Sequence, residues 1–139
     1  MKDSGLLSRK DYSIAFEGFA ETRLPGAALR ISIRGSGDET DLLLNLPDTV
    51  DRWHIDFRSY AFYCVTSEDF TSMSGGNPTP ALHIYRQSDL LIYLESRSNL
   101  KKREIDEQIN YRHFSFACME HQVDIISADT PVIQLLGTK

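Results

Sequence analysis

Two short stretches of this chain bring side chains of catalytic type close together. In Cys118-Met119-Glu120-His121-Gln122-Val123-Asp124 a thiol, an imidazole and a carboxylate recur at every third position. Thiol catalysis needs those three: a base to activate the sulfur and a further group to orient the base. A turn at Glu120-His121-Gln122 would let them approach across one hairpin. The thiol, however, ends an alternating apolar run, Phe114, Phe116, Cys118, and burial raises a thiol's pKa and lowers its reactivity. The second stretch, His54-Ile55-Asp56, puts two ligand-type side chains on one face of a strand. Trp53, Ile55 and Phe57 define the buried face there, which leaves His54 and Asp56 facing water. A zinc site would require further ligands at characteristic spacing, and none follows. We therefore expect no catalytic residue, no metal site and no cofactor. The glycines of Gly35-Ser36-Gly37 and Gly75-Gly76 read as turns, since neither forms a phosphate-binding loop. Lys101-Lys102-Arg103 runs into Glu104, Asp106 and Glu107, so it reads as a solvated face of mixed sign and not as a nucleic-acid patch.

The charge itself is unevenly placed. Between residues 38 and 69, Asp38, Glu39, Asp41, Asp48, Asp51, Asp56, Glu68 and Asp69 face only Arg52 and Arg58, in a chain whose net charge is −5. A localised acidic field disfavours nucleic acid and anionic lipid and favours a basic partner. Trp53, Tyr60, Tyr63 and Phe70 interleave with these acids, and aromatic anchors ringed by charge are common in tight interfaces. Asp38, Glu39, Asp41, Asp48, Asp51, Glu68 and Asp69 are accordingly the candidate partner-binding residues.

The elements that must position these groups follow from periodicity. Tyr12, Ile14, Phe16 and then Leu29, Ile31, Ile33 alternate with polar residues and predict two half-buried strands separated by a break at Leu24-Pro25-Gly26. Gly35-Ser36-Gly37-Asp38 is expected as a hairpin loop leading to a third strand over Asp41–Leu46. Trp53 to Phe57 is a strand. Tyr60 to Val65, apolar on both faces, reads as a central one, with a bend near Ser59 between them. Ser72 to Pro80 reads as the longest loop. Ala81–Tyr85 is a short strand, and Ser88-Asp89 reads as a helix start, with Ser88 as N-cap and Leu91 and Leu94 at helical spacing, a strand over Leu90–Leu94 being the competing reading. Ser98–Ile109 is either a second short helix or a solvated excursion. Strands at 114–118, 123–126 and 132–136 complete the chain. The expected fold is α+β: six to eight strands, largely antiparallel, with one or two short helices on one face.

At 139 residues the chain suits a single domain, 1–139, able to bury roughly two-thirds of its unfolded surface without a metal or disulfide. Cys64 and Cys118 both lie in apolar surroundings and are expected as two reduced core thiols. The longest apolar run near the N-terminus is Leu6-Leu7, too short for a signal peptide, and no run approaches the ~20 residues of a membrane span. The expected location is the cytoplasm.

His83-Ile84-Tyr85, Ser88-Asp89-Leu90-Leu91, His113-Phe114 and Asp124-Ile125-Ile126-Ser127 give the second half a resemblance to a family of small uncharacterised bacterial proteins found beside polymorphic toxins. The resemblance implies an immunity protein. Together with the acidic block, it leads to the expectation of a binding protein that neutralises a cognate basic, cytoplasm-acting toxin by stoichiometric occlusion. The alternatives are a small ligand-binding or homo-oligomeric module, or an enzyme using His54/Asp56 or His121/Asp124.

Overall fold

The alternating apolar residues of the two halves point into one shared space. A computed structural model describes residues 4–46, 48–67, 69 and 81–138; the expected loop at Ser72–Pro80, and Glu68 and Phe70, lie outside them. In chain order the elements are α1 (Ser4–Leu7), β1 (Ser13–Ala20), β2 (Leu29–Ser36), α2 (Glu39–Leu44), β3 (Asp51–Phe57), β4 (Phe62–Ser67), β5 (Leu82–Tyr85), α3 (Asp89–Arg97), α4 (Leu100–Glu107), β6 (Arg112–Cys118), β7 (His121–Ser127) and β8 (Val132–Thr138). The strands form two antiparallel four-stranded sheets, β1-β2-β3-β8 and β4-β7-β6-β5, so the fold is α+β. Ile14, Leu29, Ile31, Ile33, Trp53, Ile55 and Phe57 of the first sheet meet Phe114, Phe116, Val123 and Ile125 of the second in one core. Each such side chain contributes about 1.5–3 kcal/mol by leaving water.

A tyrosine ties the first sheet together. The Tyr12 hydroxyl donates to Asp51 at 2.7 Å and accepts from the Trp53 indole N–H at 2.9 Å. Its ring lies against Gly35, where any side chain would collide with it. Burial raises the phenol's pKa well above its ordinary value, and Asp51 adds to the shift. At the same end of the molecule the two sheets touch: Met119 N donates to the Ile14 carbonyl at 2.8 Å, and Met119 packs with Ala15, Leu42 and Val50.

Three sequence expectations need correction. The stretch Asp41–Leu46 is not a strand; it belongs to helix α2 and its C-terminal cap. Asp38 accepts hydrogen bonds from Thr40 N (2.8 Å) and Asp41 N (3.2 Å), which caps the helix, and Asn45 closes it in a left-handed conformation, φ 54°. The Gly35–Asp38 segment is accordingly the end of β2 and a helix start, and β2 and β3 are joined through α2. Finally, β4 is an edge strand, paired only with β7. Both of its faces are apolar because each meets a different layer: Tyr63 and Val65 face the main core, while Phe62 packs with Leu91, Leu100 and Ile126. Two-sided burial comes from layers above and below and does not require a strand on each flank.

The charged stretch at 98–109 is a helix, α4. It carries i,i+4 pairs from Lys102 to Asp106 and Arg103 to Glu107 and buries Leu100 beneath it. α3 and α4 cover part of the second sheet's outer face. No helix among the described residues is long and apolar enough to cross a membrane.

Candidate functional site: an acidic end and a buried histidine–aspartate pair

The acidic block separates into carboxylates the fold uses and carboxylates it leaves on the surface. Asp38 is the cap of α2, Asp51 accepts from Tyr12, and Asp56 takes both arms of Arg30 at 2.8 and 3.0 Å. Glu39 and Asp48 are exposed, Asp41 is half-buried, and among the described residues no ion pair joins any of the three to a cation. Helix α2 turns only Leu42 inward; Leu43, Leu44 and Leu46 are 62%, 61% and 39% exposed. A leucine triplet wound on a helix cannot bury every member, whereas two of the three would share a face in a strand.

Asp69 is exposed and follows β4, the edge strand of the other sheet. Ser67 at the close of β4 pairs with His121 at the start of β7. The β6–β7 turn beside it carries exposed Glu120 and packs Met119 on the α2 cluster. Glu120 thus stands beside the α2 end from outside the 38–69 segment. Of the aromatics read as possible anchors, Trp53 is fully buried in the core and can contact no partner. Tyr60 and Tyr63 sit at the seam between the sheets, both hydroxyls donating to Glu21 at 2.5 and 3.0 Å. These bonds, Tyr60's first, hold the Glu21 carboxyl below its ordinary value, and the Tyr60 phenol is pushed up to about 12 chiefly by Glu21.

Neither chemical stretch assembles as a site. Cys118 pairs with His121 across the β6–β7 hairpin, and both face the main core. Asp124, three residues on, points to the opposite face, because an odd separation along a strand reverses the side. Burial pushes the Cys118 thiol up to about 12, and burial followed by Asp124 raises that of Cys64. Both cysteines are free. His54 and Asp56 share a face as expected, but Asp56 is engaged by Arg30. No group of three or more metal-ligating side chains occurs among the described residues.

What sequence reading missed is the partner of Asp124. His113 Nε2 lies 2.7 Å from Asp124 Oδ1, and its Nδ1 lies 2.9 Å from the Ser88 hydroxyl. With Nε2–H donating to the carboxylate, Nδ1 accepts from the Ser88 O–H, while Ser88 Oγ accepts from Leu91 N at 3.2 Å as the cap of α3. One line of hydrogen bonds thus joins β7, β6 and the start of α3, with His113 buried under it. His113 and Ser88 were visible only as the first residue of a strand and a helix cap, 25 positions apart.

No protein-family model, no curated protein and no solved structure matches the chain.

Proposed function

We propose that this is an immunity-type binding protein that occludes a cognate, basic toxin acting in the cytoplasm. The observation that carries this reading is the end built on α2: solvent-facing Leu43, Leu44 and Leu46 stand among Glu39, Asp41 and Asp48, with Glu120 in the β6–β7 turn beside it. Exposed apolar residues among charged ones are the composition of a protein-binding surface; Arg52, bonded to Asn45 at the close of α2, and Arg34, bonded to the Leu42 carbonyl, are both engaged by Glu17, so the charges left without an ion pair among the described residues here are acids, which select a basic partner and speed its encounter. The resemblance of the second half to small bacterial proteins found beside polymorphic toxins supports the same reading. Occlusion is stoichiometric and uses no reaction on this chain.

The experiment pairs the purified chain with the basic protein encoded by the adjoining reading frame. A one-to-one complex is expected, with an association rate that falls as salt rises. Glu39→Lys with Asp48→Lys should slow association and flatten that salt dependence, and Leu43→Asp with Leu44→Asp should abolish the complex. Asp38 is left intact because reversing it would remove the α2 cap. Unchanged rates and affinity in both double variants would refute the assignment of this end.

A further inference from the structure

β8 closes the first sheet as an open edge. It pairs with β3 on one side, and among the described residues no strand and no backbone hydrogen bond lies on its other side. Such an edge presents unpaired N–H and C=O groups to any extended chain, and proteins blunt it with charge, a bulge, brevity or a covering layer. The other three edges are blunted. β1 carries Glu17 at a bulge between Phe16 and Gly18. β5 has four residues and runs into Arg86. β4 lies at the seam, where Tyr63 meets Phe19 of β1 at 5.1 Å. β8 is seven residues long and carries no charge. It stays in register with β3 from Val132 to Leu135, and the register shifts only past Leu135, leaving Leu136 as an extra residue.

The order of residues along β8 is symmetric in polarity about Gln134. Val132 and Leu136 are 59% and 48% exposed, Gln134 is exposed, and Ile133 between them is buried on the core face. When two copies of β8 run antiparallel around a two-fold axis at Gln134, Val132 meets the partner's Leu136 and Ile133 meets the partner's Leu135. The two Gln134 amides face each other, and each carries both a donor and an acceptor. Apolar side chains thus meet apolar ones on both faces. On β3, Asp56 stands opposite Val132 and is already held by Arg30. A chain of net charge −5 repels its own copy, and β8 is a strip where two copies meet without opposing like charges. A charged partner strand would find no opposite charge on it.

We propose that β8 pairs antiparallel with β8 of a second copy about a two-fold axis at Gln134, joining the two four-stranded first sheets into one continuous sheet. Thr138 pairs with Asp51, where the chain enters β3 after α2. Antiparallel pairing therefore sets the two α2 ends at opposite ends of the joined sheet, each open to a partner of its own. The dimer stands independently of the reading of the α2 end.

The test measures the mass of the full chain by sedimentation equilibrium over a wide concentration range, with no other protein present. A reversible monomer–dimer equilibrium is expected. Gln134→Lys opposes two ammonium groups at the axis and should weaken the dimer about tenfold. The monomer's unfolding temperature should not change, because the Gln134 side chain is exposed. Gln134→Glu should act alike, and an equimolar mixture of the two variants should recover a mixed dimer. Gln134→Cys should give a disulfide-linked dimer on mild oxidation, since residues directly opposite in an antiparallel pair lie within disulfide reach. Cys64 and Cys118, both raised by burial, should stay reduced in that experiment. A wild-type chain that stays monomeric, a mass that grows past the dimer through a different edge, or equal dimer affinity in Gln134→Lys would overturn the proposal.

Discussion

On the outer face of the first sheet, His54 and Asp56 are two residues apart in one strand and do not meet; on the outer face of the second, His113 and Asp124 come from adjacent strands and bond at 2.7 Å. The carboxylates are similarly covered, with side-chain exposures of 12% and 16%. Their covers differ. Asp56 is shielded by its own partner, Arg30, whose side chain remains 27% exposed and keeps access to water. Asp124 is shielded by a buried imidazole whose far nitrogen is tied to the N-terminus of α3. In the first case the ion pair lies on a finished sheet. In the second, the polar line joins two layers, so losing it strands groups that water reaches poorly.

The largest expected effect follows from that difference. His113→Ala leaves Asp124 without its main partner and Ser88 without one of its two, at a cost of about 3 kcal/mol in denaturant unfolding. If it costs no more than the corresponding change at His54, the polar line does not hold the layers together. Asp56→Ala should cost about 1 kcal/mol, because Arg30 can turn to solvent when its partner goes. A loss matching that of His113→Ala would make the two faces equivalent. The thiols sharpen the contrast further. With Cys118 pushed up to about 12, neither it nor Cys64 should react readily with a thiol reagent at neutral pH. The Cys118 shift is upward, so its contribution to stability is complete below the thiol's ordinary pKa and is lost as pH climbs from there toward about 12. In His113→Ala, Cys64 should become reactive first, since it lies across from Asp124 on the disturbed face. Earlier labelling of Cys118 would mean that the main core had opened instead. The smallest effect is expected of His54→Ala, within about 0.5 kcal/mol by the same unfolding measurement.

Several elements were legible because a single period sufficed. Ile14, Leu29, Ile31, Ile33, Trp53, Ile55 and Phe57 alternate cleanly, and all are buried. Ser88 caps its helix as its position before Asp89 implied. Helix α2 was missed because three consecutive leucines carry no period, and the signal that outweighs them is the capping carboxylate of Asp38. Of the candidate partner residues, Glu39, Asp48 and Asp69 are exposed and Asp41 is half-buried, whereas Asp38 and Asp51 are already hydrogen-bonded within the fold and Glu68 lies outside the described residues.

The sequence by itself determined which residues alternate, and so the strands, the core face and the α+β class, because side-chain direction along a strand is a local property of the backbone. It also determined that the acid is concentrated between residues 38 and 69. The tertiary structure decided who meets whom. Asp124 goes to His113 and not to His121, since parity sends His121 into the core and register brings β6 alongside β7. Asp56 goes to Arg30 through the pairing of β2 with β3. Those outcomes depend on strand order and register, which are fixed by packing between distant segments and leave no local pattern to read.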